Sequence, residues 1–204
     1  MDIRPLAIAG AWELTPRQFS DERGTFLEWY RGDLLAEQAG VGIGLQQANT
    51  SISRAGVLRG IHFSDTPPGQ AKHVTVTRGS AIDFVVDLRV GSPTFGSWDS
   101  VLLDEVDRRA VYLAEGLGHA FLALEDSTTV SYLVTSTYAP DREHGVSPLD
   151  PAIGLAIPHG THLIVSDKDL DAPTLAEAEA AGILPLWSEL SVYAGRAAST
   201  AGEG

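Results

Sequence analysis

Hydrophobic residues in this chain recur with a period of two over short stretches. Ile82, Phe84, Val86 and Leu88 alternate with Ala81, Asp83, Val85, Asp87 and Arg89. That spacing predicts a strand with one apolar face and a wetter second face. Further short apolar runs lie at 74–77, 101–103, 110–113, 121–124 and 130–134. Turn-forming pieces separate them, among them Thr66-Pro67-Pro68-Gly69, Arg78-Gly79, Gly91-Ser92-Pro93, Glu115-Gly116 and Glu125-Asp126. Short strands at this spacing predict an antiparallel sandwich or barrel. Helix is minor. One short helix is expected over 34–39 and a second over 174–181, where Thr174 and Glu177 form a capping-box pattern and Gly182 supplies a left-handed stop. The fold class is mainly β, a jelly-roll barrel or sandwich with a few short helices. Its open end offers a cavity for a small molecule.

No internal repeat and no linker divides the chain, so a single domain over 1–190 is expected. The remaining 191–204 form a tail, and from Ala194 to Gly204 it has no large apolar residue. It is expected to be mobile.

Composition narrows the function classes. The 204 residues are 44% hydrophobic, enough for a sizeable core. Fourteen basic against 27 acidic residues leave a net charge of −13. This balance speaks against a nucleic-acid binder and against docking on an anionic membrane. No apolar stretch approaches the ~20 residues of a membrane span. The opening segment MDIRPLAIAGAWE carries Asp2 and only a short apolar run, a poor match to a signal peptide. A cytoplasmic protein is expected. With no cysteine, disulfides, thiolate nucleophiles and Cys-ligated metals are excluded.

The scarce cations stand out against this acidity. Lys72 and Lys168 are the two lysines. They are either ordinary surface residues or part of a locally assembled anion site. His62 follows Leu58-Arg59-Gly60-Ile61. Strict alternation would put Arg59 and His62 on opposite faces, whereas a bulge at Gly60 would bring them to the same side. His62 there is either a hydrogen-bonded core histidine or a general base. His119 follows Gly116-Leu117-Gly118, where a sharp turn could admit its ring to a cavity. Tyr132 is in phase with Val130 and Val134, so it faces inward as core or as a general acid. His73 should point away from Lys72. His144, His159 and His162 lie in polar or Pro/Gly-containing stretches and look less useful. No histidines have the spacing of a metal site.

Several motifs occur together and in order: Leu58-Arg59-Gly60-Ile61-His62-Phe63, Gln70-Ala71-Lys72, Val86-Asp87-Leu88-Arg89-Val90-Gly91-Ser92-Pro93-Thr94-Phe95-Gly96, and Glu115-Gly116-Leu117-Gly118-His119-Ala120-Phe121. Asp21-Glu22-Arg23-Gly24-Thr25-Phe26-Leu27-Glu28 precedes them and Ser166-Asp167-Lys168-Asp169 follows. Over roughly residues 4 to 185 the chain resembles the dTDP-4-keto-6-deoxyhexose 3,5-epimerase family. The resemblance implies a cupin-type jelly roll, a homodimer and no metal or other cofactor. It implies His62 as catalytic base, oriented by Asp169, and Tyr132 as the opposing acid. Lys72 and His119 would lie near the ketone and sugar hydroxyls. Arg59, Gln47 and Asn49 would hold the diphosphate and sugar. Arg23, Phe26 and Glu28 would recognise the nucleoside, conceivably across the dimer interface. Tyr138 would stack on the base or sugar, and Lys168 would assist the diphosphate.

The implied substrate is dTDP-4-keto-6-deoxy-D-glucose. After His144-Gly145 the chain reads Val146-Ser147-Pro148-Leu149-Asp150, unlike the rhamnose-pathway pattern. Thr66-Pro67-Pro68-Gly69-Gln70 and Val101-Leu102-Leu103-Asp104 look more like members that make antibiotic deoxysugars. The expectation is inversion at C-3″, with C-5″ open and the rhamnose-type 3,5-epimerase as the alternative. A dTDP-sugar 3,4-ketoisomerase, a metal-dependent cupin oxygenase and a non-catalytic sugar-nucleotide binding module are the competing readings.

Overall fold

The structure, a computed structural model, describes residues 1–42 and 44–190. The expected tail at 191–204 lies outside the described residues.

In chain order the strands are β1 (Asp2–Pro5), β2 (Ala11–Thr15), β3 (Gln18–Asp21), β4 (Gly24–Leu27), β5 (Gln47–Ser53), β6 (Leu58–Ser64), β7 (Lys72–Arg78), β8 (Ser80–Asp87), β9 (Trp98–Asp104), β10 (Ala110–Leu113), β11 (Leu117–Ala123), β12 (Thr128–Val134) and β13 (Glu143–Gly145). Short α-helices join them, among them α1 (Gly32–Ala39), α2 (Asp167–Leu170) and α3 (Leu175–Ala180). None of the described helices is long and apolar enough to cross a membrane. A six-stranded sheet runs β1-β2-β10-β7-β12-β5, and a five-stranded sheet runs β13-β6-β11-β8-β9. Strands β3 and β4 form a separate hairpin. The pairings within the sheets are antiparallel, with neighbours drawn from distant parts of the chain, as in the expected jelly roll.

Alternation explains the layers. The first sheet turns Val74, Val76, Val111, Leu113 and Val130 inward, and the second answers with Ala81, Val85, Val101, Leu103, Leu117 and Phe121. The opposite face of the second sheet carries Phe84, Val86 and Leu88. Ile153, Leu155, Leu175, Ala178 and Leu184 from the C-terminal third cover it. Leu14, Ala110 and Tyr112 on the outside of the first sheet pack against Leu35 of α1.

The second face of β8 is therefore not wet. Asp83 is 1% exposed and Asp87 fully buried. Those positions line the interior between the sheets, and their charges are met by protein partners. Asp87 accepts from Arg89 Nε at 2.7 Å and from the Ser92 and Thr94 hydroxyls. Burial pushes the Asp87 carboxyl up, but these donors outweigh it and hold the group below the ordinary carboxylate range. Arg89 also donates to the Ala9 carbonyl at 2.8 Å and stacks 4.5 Å from the centre of the Trp187 ring. The Asp87–Arg89–Ser92–Thr94 motif thus ties the N-terminal loop, β8 and the C-terminal segment together. Its residues secure the fold at a distance from the reactive groups.

Helix α1 begins two residues before the expected start. Helix α3 has the expected capping box between Thr174 and Glu177, with Gly182 left-handed at φ +68°. The four-residue α2 was not expected, because it is too short to show a period.

Candidate active site

One strand irregularity sets up the site. Between β6 and β11, His119 pairs with His62 while Phe121 pairs with Arg59, leaving one extra residue on β6. Gly60 sits within this bulge at φ +110°. A Cβ there would lie 2.4 Å from the His119 carbonyl oxygen and 2.8 Å from the Ala120 Cα, so only glycine fits. Facing pairs in an antiparallel ladder share a side. Arg59 and His62 consequently both turn to the face that carries Phe121 and His119, as the bulge reading expects.

His62 Nε2 lies 2.6 Å from Asp169 Oδ1. Asp169 is 5% exposed and sits in α2, whose N-cap Ser166 accepts from the Asp169 backbone N–H. The Gly60 N–H donates weakly to Asp169 Oδ2 at 3.4 Å. Burial raises the Asp169 carboxyl, but hydrogen bonds from His62, Ser166 and Gly60 outweigh it and hold it below its ordinary value. The carboxylate therefore stays ionised beside the ring.

Across the interior, the first sheet supplies the other groups. Tyr132 pairs with Val74 on one side and Asn49 on the other, and Lys72 pairs with Val134. These positions, together with Gln47, share the inner face. Lys72 is 7% exposed. Burial lowers its pKa, and the charges of Glu143 and Asp83 oppose that shift. Tyr132 is pushed up by burial and by Glu143, with Arg59 acting in the other direction. Its phenol is protonated at neutral pH and has a proton to give.

A cavity of about 390 Å³ opens between these groups, within the range for small-molecule sites. His62, Lys72, Tyr132, Gln47, Asn49, Tyr138 and Lys168 line it. Both lysines of this acidic chain line one cavity, Lys72 buried and Lys168 exposed. Gln47 donates to Asn49 Oδ1 at 2.7 Å and accepts from the Tyr138 backbone N–H at 2.9 Å, fixing that wall. His119 is buried just behind, with Nε2 2.7 Å from Asp83 Oδ2. Arg59 reaches Ser53 Oγ at 3.3 Å and is exposed. His73 does point away from Lys72: its Nε2 contacts the Trp29 carbonyl, and the ring packs against Trp29 and Tyr30.

Of the expected residues, Asp169, Arg59 and His119 are not among those that line the cavity, and Arg23, Phe26 and Glu28 lie away from it on or just after the β3–β4 hairpin. Arg23 and Phe26 stand exposed on the β3–β4 hairpin, and Glu28 just beyond it pairs with Arg31. Three lining residues escaped the sequence reading: Gln70, Glu143 and His144. Ser64 Oγ donates to Glu143 at 3.1 Å, and His144 lies 2.6 Å from Asp65. Their strand β13 has three residues and joins the sheet by pairing with β6. The only local signal was two ionisable side chains side by side ahead of Gly145. Among the described residues, no group of three or more His, Asp or Glu could hold a metal.

The arrangement offers a carboxylate-held imidazole on one wall, a protonated phenol on the other, and a buried lysine amine between the sheets. Such a set can take a proton from one face of a bound carbon acid and return one to the other face.

Known proteins are similar to this chain in sequence and in fold. A sequence family described as dTDP-4-dehydrorhamnose 3,5-epimerase matches residues 5–177. A dTDP-4-dehydrorhamnose 3,5-epimerase of Mycolicibacterium smegmatis is 55% identical over 193 residues, covering 95% of both chains. A dTDP-4-dehydrorhamnose 3-epimerase of Streptomyces niveus is 56% identical over 188 residues, covering 92% of this chain and 90% of that one. The crystal structure of ChmJ, a 3′-monoepimerase from Streptomyces bikiniensis in complex with dTDP-quinovose, superposes with a TM-score of 0.91 at 47% identity. That match covers 94% of this chain and 97% of ChmJ.

Proposed function

The chain belongs to the dTDP-4-dehydrorhamnose 3,5-epimerase family, and from that premise we propose that it inverts C-3″ of dTDP-4-keto-6-deoxy-D-glucose in the biosynthesis of an antibiotic deoxysugar. The observation that carries the chemistry is His62, paired with Asp169, and Tyr132 lining opposite walls of one cavity, with Lys72 buried between them.

A C–H bond next to a ketone becomes acidic only when the developing enolate oxygen is stabilised. In a poorly hydrated cavity, the Lys72 ammonium supplies that field. Asp169 occupies His62 Nε2, so Nδ1 is the nitrogen that takes the proton. Asp169 also stabilises the imidazolium as it forms. Tyr132 then protonates the opposite face of the enolate, inverting the centre. His62 on its own face can only return the proton to where it came from. In this reading Gln47, Asn49 and Arg59 hold the sugar and diphosphate, Tyr138 stacks on the base or sugar, and Lys168 balances phosphate charge. His119 contacts a sugar hydroxyl or the ketone.

The choice of carbon rests on sequence. The 146–150 segment departs from the rhamnose-pathway pattern, the 66–70 loop and the 101–104 segment resemble antibiotic-pathway members, and a 56% identical relative is named a 3-epimerase. A relative named as a 3,5-epimerase at 55% supports the second reading, inversion at both C-3″ and C-5″. Product stereochemistry separates the two. The protein is incubated with dTDP-4-keto-6-deoxy-D-glucose, and the configurations at C-3″ and C-5″ are read from proton couplings. A product of the 6-deoxyallose type supports C-3″ inversion alone. An L-series product replaces this reading by the second.

A homodimer completes the site. The β3–β4 hairpin exposes Phe26 at 68% and Phe19 at 46%, their ring centres 6.4 Å apart. In a dimer the hairpin carries Arg23, Phe26 and Glu28 to the nucleoside bound by the second copy.

A further inference from the structure

The geometry points to Asp83 as a positioning residue, one buried carboxylate that fixes the His119 ring through one oxygen and holds its negative charge in the interior faced by the sheet that carries Lys72. The inference rests on the proposed enolate chemistry, for which Lys72 must carry its proton.

Asp83 is in the middle of β8, opposite Phe121 of β11 and Val101 of β9. Both neighbours belong to the inner core, so the Asp83 side chain points to the interior between the sheets. It is 1% exposed. Its Oδ2 lies 2.7 Å from His119 Nε2, while its Oδ1 is buried and accepts no hydrogen bond from any protein group. Leaving a carboxylate oxygen dry and unmatched is costly. An apolar side chain among Ala81, Val85, Val101 and Phe121 would pack at least as well, so stability alone gives no reason for an aspartate here.

Function supplies one. Lys72 sits on the facing sheet, and its ammonium is desolvated by the same interior. Asp83 is one of two carboxylates that favour its charged form, with Glu143 the other. The remaining charged or titratable groups turned to this interior are Asp87 on β8 with Arg89 just beyond it, His119 on β11, His62 and Arg59 on β6 with Asp169 from α2, and Tyr132 on β12. β9 presents only Val101 at this position. A negative charge held in the same interior, with no hydrogen bond to the ammonium, favours its protonated form. Through its second oxygen Asp83 also settles which His119 nitrogen is engaged, leaving Nδ1 to face a ligand.

The test compares wild type with Asp83→Asn, which keeps the shape and can still bond His119 but carries no charge. Steady-state kcat and KM are measured against pH. In parallel the side-chain resonances of 13C-lysine-labelled protein are titrated without substrate. Only two lysines are present, and Lys168→Arg assigns them. The expected result is a kcat lowered about 10- to 100-fold with KM changed less than about threefold. The alkaline limb of kcat and the Lys72 titration should both move to lower pH, because the lost negative charge makes the ammonium easier to deprotonate.

An unchanged Lys72 titration overturns the inference, as does a loss confined to KM. Should Asp83→Asn not fold, wild-type protein with 13C-labelled aspartate gives the second reading. The Asp83 carboxylate resonance should then inflect at the pH where Lys72 titrates, and a flat Asp83 resonance through that pH overturns the coupling. The titrations need no turnover. An inactive wild type would sink the proposed function and leave the Asp83–Lys72 coupling to be judged separately.

Discussion

At the scale of single residues, burial and charge assign different tasks to similar side chains. His62 and His119 face the interior between the sheets and His73 the opposite side of β7, and each has a different partner. His62 has an ionised carboxylate beside it and an open cavity in front. His62→Ala should abolish deuterium exchange next to the ketone, and Tyr132→Phe should lose inversion while keeping part of that exchange, both read by NMR of the sugar protons. Retained epimerase activity in His62→Ala would contradict the assignment of the base. His73 is fully buried and uncharged, with burial pushing its pKa down from 6.5 to about 4 although the Trp29 carbonyl opposes. An unfolded chain takes up this proton near the ordinary value, and the folded one resists it until about 4. Between those values the unfolded state binds more protons, so stability falls as pH drops through that window, by up to about 3 kcal/mol. His73→Asn can still donate to the Trp29 carbonyl and cannot titrate there. Denaturant unfolding at pH 7 and pH 4.5 should show a smaller loss for this variant than for wild type.

At the scale of elements, local pattern was legible where it was long and regular, and it failed where placement depended on distant pairing. The alternation of β8 predicted a strand but misread Asp83 and Asp87 as facing water, because a polar face closed off by a second sheet has the same period as a solvated one. The bulge was visible in Gly60 alone. Its consequence, His62 and Arg59 sharing a face, follows from one extra residue in the β6–β11 ladder. Glu143 and His144 were missed because β13 gains its place only by joining β6 about 80 residues earlier in the chain. Most of the candidate site was named through motif resemblance, since spacing alone could not bring together residues from β5, β6, β7, β12 and α2. Gly60→Ala tests the bulge directly. A new Cβ against the β11 backbone at a positive φ should cost on the order of 2 kcal/mol or more and displace His62. Thermal unfolding should show the first effect, and a fall in kcat of the folded protein the second.

At the scale of the whole molecule, two sheets with both outer faces covered form a rigid frame, and its open end holds the reactive groups. In this strongly acidic chain Lys72, Lys168 and Arg59 offer cations for a diphosphate-linked ligand, with Glu143, Asp83 and Asp169 as the nearby carboxylates. The hairpin is the part least tied to this frame. If a second copy receives it, Phe26→Ala should raise KM several-fold with little change in kcat, by the logic of lost uniform binding. Sedimentation at assay concentration should show a dimer. A monomer with unaltered KM in the variant would contradict the shared site. The central claim is proton removal and return next to a ketone, and exchange with solvent tests it most directly. The protein is incubated with dTDP-4-keto-6-deoxy-D-glucose in D2O beside a no-enzyme control, and deuterium is located by NMR. The account predicts deuterium at C-3″ with inversion there and protium kept at C-5″. Deuterium at both carbons would make the chain a 3,5-epimerase by the same chemistry, and no exchange above the control would contradict the account.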